Sequence, residues 1–138
     1  MKRPTIPNHK EMCAVGSRVT CSPEPVGTDQ DWLVLSEDIT SFTNDMLSNG
    51  WNVDGSFIPP ESDTSPPDER FYSFKLGEDN VIATQSPVFF QRFLAATSVC
   101  RRLNVMQKSD RIVLFQAVLY GTGLYIDPSI DPMELIFS

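Results

Sequence analysis

The spacing of apolar positions changes several times along the chain, and each change marks an element. Glu11-Met12-Cys13-Ala14-Val15 reads as a short strand that stops at Gly16-Ser17. From Arg18 to Thr28 the sequence reads as a loop, because Pro23, Pro25 and Gly27 oppose regular structure. The run Asp29 to Leu35 is charged in its first half and continuously apolar in its second, which predicts a central strand covered on both faces. Ser36-Glu37-Asp38 offers capping oxygens ahead of Ile39, Phe42, Met46 and Leu47, whose spacing puts them on one helical face, and Gly50 is placed to end that helix.

A further strand is expected from Trp51 to Ile58. The segment Pro59 to Asp68, with Pro59-Pro60 and Pro66-Pro67 among serines and acids, is expected to be an exposed loop. Arg70 to Leu76 and Asn80 to Thr84 predict two strands of a hairpin joined through Gly77-Glu78-Asp79. Ser86-Pro87 opens a helix as N-cap and first residue, and Phe89, Phe90, Phe93, Leu94, Ala96 and Val99 give it a wide apolar stripe that ends near Leu103-Asn104. A last helix starts near Ser109-Asp110 and stops at Gly121. The order β, β, α, a β-rich middle, α, α predicts an α/β (α+β) domain: a small mixed sheet with helices packed on one face. Residues 1–138 form one domain in this reading, with irregular arms at 1–10 and 126–138.

Composition narrows the picture. The apolar fraction of 41% is ordinary for a globular protein, and the 11 prolines match the irregular connections. No apolar run approaches the roughly 20 residues of a membrane helix. The start, Met1-Lys2-Arg3-Pro4, lacks the apolar stretch of a secretory signal, so a cytoplasmic protein without membrane association is expected. Cys13, Cys21 and Cys100 show no C-x-x-C spacing and suit a reduced protein, and with His9 the single histidine a zinc site is not expected. A net charge of −7 argues against broad nucleic-acid binding. The basic residues Arg101, Arg102, Lys108 and Arg111 cluster late. Arg101 and Arg102 suit a helix C-terminus, whereas Lys108 and Arg111, three apart on one face, are better candidates for phosphate.

Candidate chemistry lies earlier. Asp29 and Asp31, one residue apart on a predicted strand, point the same way and repel each other. A hard cation such as Mg²⁺ relieves that repulsion and keeps its remaining positions for water and phosphate. Gly16 lets the backbone approach a phosphate, Ser17 supplies an N–H and a hydroxyl, and Arg18 can add a charge-assisted contact. Trp32 and the phenylalanines Phe89, Phe90 and Phe93 read as core.

An apolar strand ending in Ala14-Val15-Gly16-Ser17-Arg18, a loop of about ten residues, and then Asp29-Gln30-Asp31-Trp32-Leu33-Val34-Leu35 resembles the minimal form of the nucleotidyltransferase superfamily, the fold of DNA polymerase beta. The late helical pair, with Arg101-Arg102-Leu103-Asn104 and Lys108-Ser109-Asp110-Arg111, resembles the small members encoded by tailed bacteriophages, for which the location would be the host cytoplasm. The resemblance implies an Mg²⁺-dependent transfer of an NMP group from an NTP to a hydroxyl of a small molecule, a protein or an RNA end. Asp29 and Asp31 would hold the metal, and Gly16, Ser17, Arg18, Lys108 and Arg111 would hold the nucleotide. Active members place a third carboxylate before an apolar pair on a later strand, and here Asn80 takes that place. Asp79 is the nearest acid and the third candidate for the catalytic set, if the hairpin turn redirects it. The alternative is a catalytically degenerate protein of the same fold that binds or inhibits a protein partner, for a phage protein one of the host.

Overall fold

The computed structural model describes residues 3–24 and 29–120. Four strands and four helices form a mixed α+β domain, as the order of elements predicts: β1 (Glu11–Val15), α1 (Ser17–Thr20), β2 (Gln30–Leu35), α2 (Ile39–Ser48), β3 (Tyr72–Leu76), β4 (Asp79–Thr84), α3 (Pro87–Leu103) and α4 (Lys108–Tyr120). The sheet order is β1-β2-β4-β3, with β2 and β4 parallel at the centre and antiparallel strands at both edges.

The apolar run of β2 serves two faces, because successive side chains alternate. Trp32 and Val34 join Phe42 and Met46 of α2, Trp51, Tyr72, Phe74, Val81 and Ala83 in one cluster. Leu33 and Leu35 point the other way and join Val15, Phe89, Phe90 and Leu119. The mixed sheet with helices against it follows the expectation, with one difference in placement: α2 lies on the face opposite α3 and α4. The crossover between two parallel strands carries it there, and its apolar stripe seals that face.

Local signals act where the sequence puts them. Asp38 Oδ1 accepts from Ser41 N at 3.1 Å to cap α2, and Ser86 Oγ accepts from Phe89 N at 3.1 Å to cap α3, with Pro87 first in the helix. Gly50, at φ +87°, turns the chain out of α2. The β3–β4 connection is the two-residue turn Gly77-Glu78, with Gly77 at φ +60° and Leu76 facing Asp79.

Two expectations are corrected. The segment from Arg18 opens as the single turn α1 instead of irregular loop. The strand expected from Trp51 to Ile58 reduces to one bridge, Asn52 with Lys75. Asp54 Oδ1 accepts from Ser56 N at 3.0 Å and from Ser56 Oγ at 2.6 Å, an Asx turn that competes with strand pairing. Pro59 to Asp68 holds two short 3-10 turns, Pro60–Ser62 and, starting within it, Pro67–Glu69. The arm from 3 to 10 has no regular structure, and the arm at 126–138 and the stop at Gly121 lie outside the described residues. No helix among the described residues is long and apolar enough to cross a membrane.

Candidate functional site

Asp31 and Asn80 are register partners at the starts of the parallel strands, so their side chains leave the sheet on the same face, the one that carries α3 and α4. Residues of α3 and α4 face these strand ends without filling the space between. What remains is an open cleft of about 520 Å³, lined by Gly16, Ser17, Asp29, Asp31 and Asn80 on the sheet side and by Phe93, Lys108, Arg111, Ile112 and Phe115 on the helical side.

The carboxylates meet through one amide. Asn80 Nδ2 donates to Asp31 Oδ1 at 3.1 Å and lies 3.4 Å from Asp29 Oδ2. Lys75, across β4 from the pair, donates from Nζ to Asp29 Oδ2 at 2.8 Å. The two acids therefore ionise under opposite influences. The hydrogen bond from Lys75 holds Asp29 below the ordinary carboxylate value, against a smaller effect of desolvation. Burial raises Asp31 above it, and the charge of Asp29 adds to that rise, while the Asn80 hydrogen bond and the charges of Lys108 and Lys75 oppose it.

Gly16 is needed where it stands. Its φ of +83° lies in the region that favours glycine, and a Cβ there would sit 2.9 Å from Asp31 Cβ and Cγ and closer still to Oδ2. Ser17 then opens α1 at the cleft wall, with Thr20 and Cys21 bonding back to Gly16 and Ser17 carbonyls.

The other predicted residues separate. Lys108 lines the cleft. Arg111 lines it too, but its Nη1 donates to the carbonyls of Val105 at 3.1 Å and Met106 at 2.7 Å and approaches Cys21 Sγ at 3.2 Å, so half of the guanidinium braces the turn between α3 and α4. Arg18 is absent from the cleft lining; its Nε donates to Glu24 at 2.8 Å. Asp79 is turned away. It is the first residue of β4, one position before Asn80, so alternation sends it to the α2 face, where its Oδ1 accepts from Trp32 Nε1 at 3.0 Å. The hairpin turn does not redirect it. Trp32 is buried core, as expected, and His9 Nδ1 donates to Pro7 O, remote from the cleft lining. Cys13, Cys21 and Cys100 are free thiols, and burial pushes Cys100 up to about 11.

Three lining residues carry a role that the sequence reading did not assign. Phe93, expected in the core, is half-buried and meets Phe115 edge-on at 4.9 Å between centroids; with the exposed Ile112 they give the cleft an apolar wall. The signal lay in the width of the α3 stripe, broader than one sheet face can cover. Lys75 was also missed, and no local signal marks it: it is the outward position in the alternation Tyr72-Ser73-Phe74-Lys75.

Searches against protein-family models, curated proteins and solved structures give no match to this chain. Among the described residues no group of three or more His, Cys, Asp or Glu is arranged to hold a metal. The fit of Mg²⁺ therefore rests on two carboxylates and an amide. One amide group of Asn80 lies within reach of both carboxylates, and rotating that amide presents its oxygen in place of its nitrogen. Asp29, Asp31 and Asn80 would then offer two carboxylates and a neighbouring amide oxygen, a ligand set that suits a hard cation that keeps several waters.

Proposed function

We propose that this cleft binds a nucleoside triphosphate with Mg²⁺ on a nucleotidyltransferase-like scaffold, and that the protein acts as a nucleotide-binding member from which the transfer chemistry has been lost. The observation that carries the reading is the identity of the group facing the carboxylates. Asn80 stands there, neutral and without basicity, and Asp79 lies on the far face bonded to Trp32. Among the described residues no third carboxylate stands with Asp29 and Asp31 to accept the proton of an attacking hydroxyl.

The division of the cleft supports the ligand class. Its lining joins a polar set, Asp29, Asp31, Ser17 and Lys108, to an apolar set, Phe93, Ile112 and Phe115. A triphosphate suits the first and the flat face of a base the second. Asp29 and Asp31 would hold the cation with the Asn80 amide, and the bound cation would neutralise the phosphates. Ser17 and Lys108 would orient the triphosphate, with the part of Arg111 not bound to the α3–α4 turn beside them.

A second reading, transfer of an NMP group to a hydroxyl acceptor, is favoured by one observation. Asp31 is held above the ordinary carboxylate value by burial, which gives it more basicity than its neighbour. One experiment addresses both readings. Isothermal titration of the protein with each NTP in Mg²⁺ is run beside the Asp29→Ala/Asp31→Ala double variant, followed by incubation with α-labelled NTP and cell extract. Saturable binding lost in the double variant, with no label transferred, is the expected result. Label transfer that requires Asp31 would establish the second reading, and no binding by folded protein would sink both.

A further inference from the structure

Lys75 is built into this sheet in a way its exposure conceals. Its backbone is pinned on the outer edge of β3, where Lys75 N donates to Asn52 O at 2.8 Å and Asn52 N donates to Lys75 O at 2.9 Å, and on the inner side it stands opposite Asn80 of β4 in the ladder. Lys75, Asn80 and Asp31 thus form one row across three strands. From the end of that row the lysine side chain sets Nζ at 2.8 Å from Asp29 Oδ2. This oxygen is also the one that the bridging amide approaches at 3.4 Å. The Lys75 ammonium and any cation bound by the carboxylate pair would therefore compete for one atom.

We infer that Lys75 is a displaceable counter-ion of the carboxylate pair: its ammonium holds Asp29 in the cation-free protein and must leave when a divalent cation enters. The inference rests on the metal–nucleotide reading of the cleft. An ion pair exposed to this degree is held weakly, and a divalent ion brings twice the charge to the same oxygen. The pinned backbone keeps the lysine within reach, so the pair re-forms when the cation departs. Lys75 is accordingly a positioning residue that sets the cation affinity of the site.

The test is a titration of the full chain with Mn²⁺ alone, read by the electron paramagnetic resonance of the free ion. Wild type, Lys75→Met, Lys75→Arg and the Asp29→Ala/Asp31→Ala double variant are compared. Removing the competing charge should tighten Mn²⁺ binding about tenfold in Lys75→Met, the scale of one unit charge acting on a dication a few ångströms away in water. Lys75→Arg keeps the charge and should bind as wild type does. Equal or weaker affinity in Lys75→Met, with binding still lost in the double variant, overturns the inference and leaves the metal site standing. No saturable Mn²⁺ binding by wild type and Lys75→Met alike removes the metal site and the inference together. Circular dichroism checks each fold, and Lys75→Gln carries the same expectation if Lys75→Met does not fold.

Discussion

Gly16 and Asp31 are coupled through space that only a hydrogen can occupy. Gly16→Ala forces a side chain into the positive-φ region and against the Asp31 carboxylate. The variant should lose about 1–3 kcal/mol of stability in urea unfolding, together with nucleotide binding, because Asp31 must move to make room. Asp31 itself stands against stability. Its folded value is raised, so its contribution is complete below the unfolded value and is lost as pH rises through the folded one. Asp29 has the opposite sign: its value is lowered, so its contribution is present above the unfolded value and lost as pH falls. In the cation-free protein Asp31→Asn should therefore melt higher than wild type at pH 7, with the difference closing as the pH is lowered towards 3; a melting series across pH reads it directly. A position that gains stability when neutralised is what a site kept for binding would show.

At the scale of elements, the turn between α3 and α4 decides where the helical wall of the cleft stands. Asn104 caps α3 at φ +49°, and its side chain takes the amide of Ser22 at 3.0 Å and donates to the carbonyl of Ser22 at 3.1 Å. One residue thus ends a helix and ties it to the segment that follows α1. Asn104→Ala removes both bonds and places a Cβ in the left-handed region, and should cost about 2 kcal/mol by urea denaturation. Asn104→Gly keeps the backbone freedom and should cost less. Elements with local signals were legible from sequence: the Asp38 and Ser86 caps, Pro87, Gly50 and the Gly77 turn each act within a few residues. The strand expected after Trp51 gives way to the Asx turn at Asp54, a side-chain hydrogen bond that apolar spacing does not register. The single turn at Ser17 was hidden by the prolines that follow it.

For the whole molecule, what could not be read was pairing between distant segments. The sequence placed Asp29 and Asp31 on one strand and marked Asn80 as the residue to watch. It could not say that β2 and β4 lie side by side and parallel, that α2 crosses to the opposite face, or that Lys75 meets Asp29. Each depends on sheet order, which no local pattern encodes. The same sheet order has a kinetic side. The β3–β4 hairpin closes through two residues and the α3–α4 hairpin through a short turn, so both can form by searching nearby chain. Asp31 and Asn80 are separated by 49 positions and meet only when the central parallel pair closes around the whole intervening segment. Such non-local closure loses loop entropy before its contacts repay it, and it slows folding. The carboxylate side of the cleft therefore exists only once β2 lies on β4: Asp31 and Asn80 come from opposite ends of a long loop, and the closing of that loop is a precondition for the binding site.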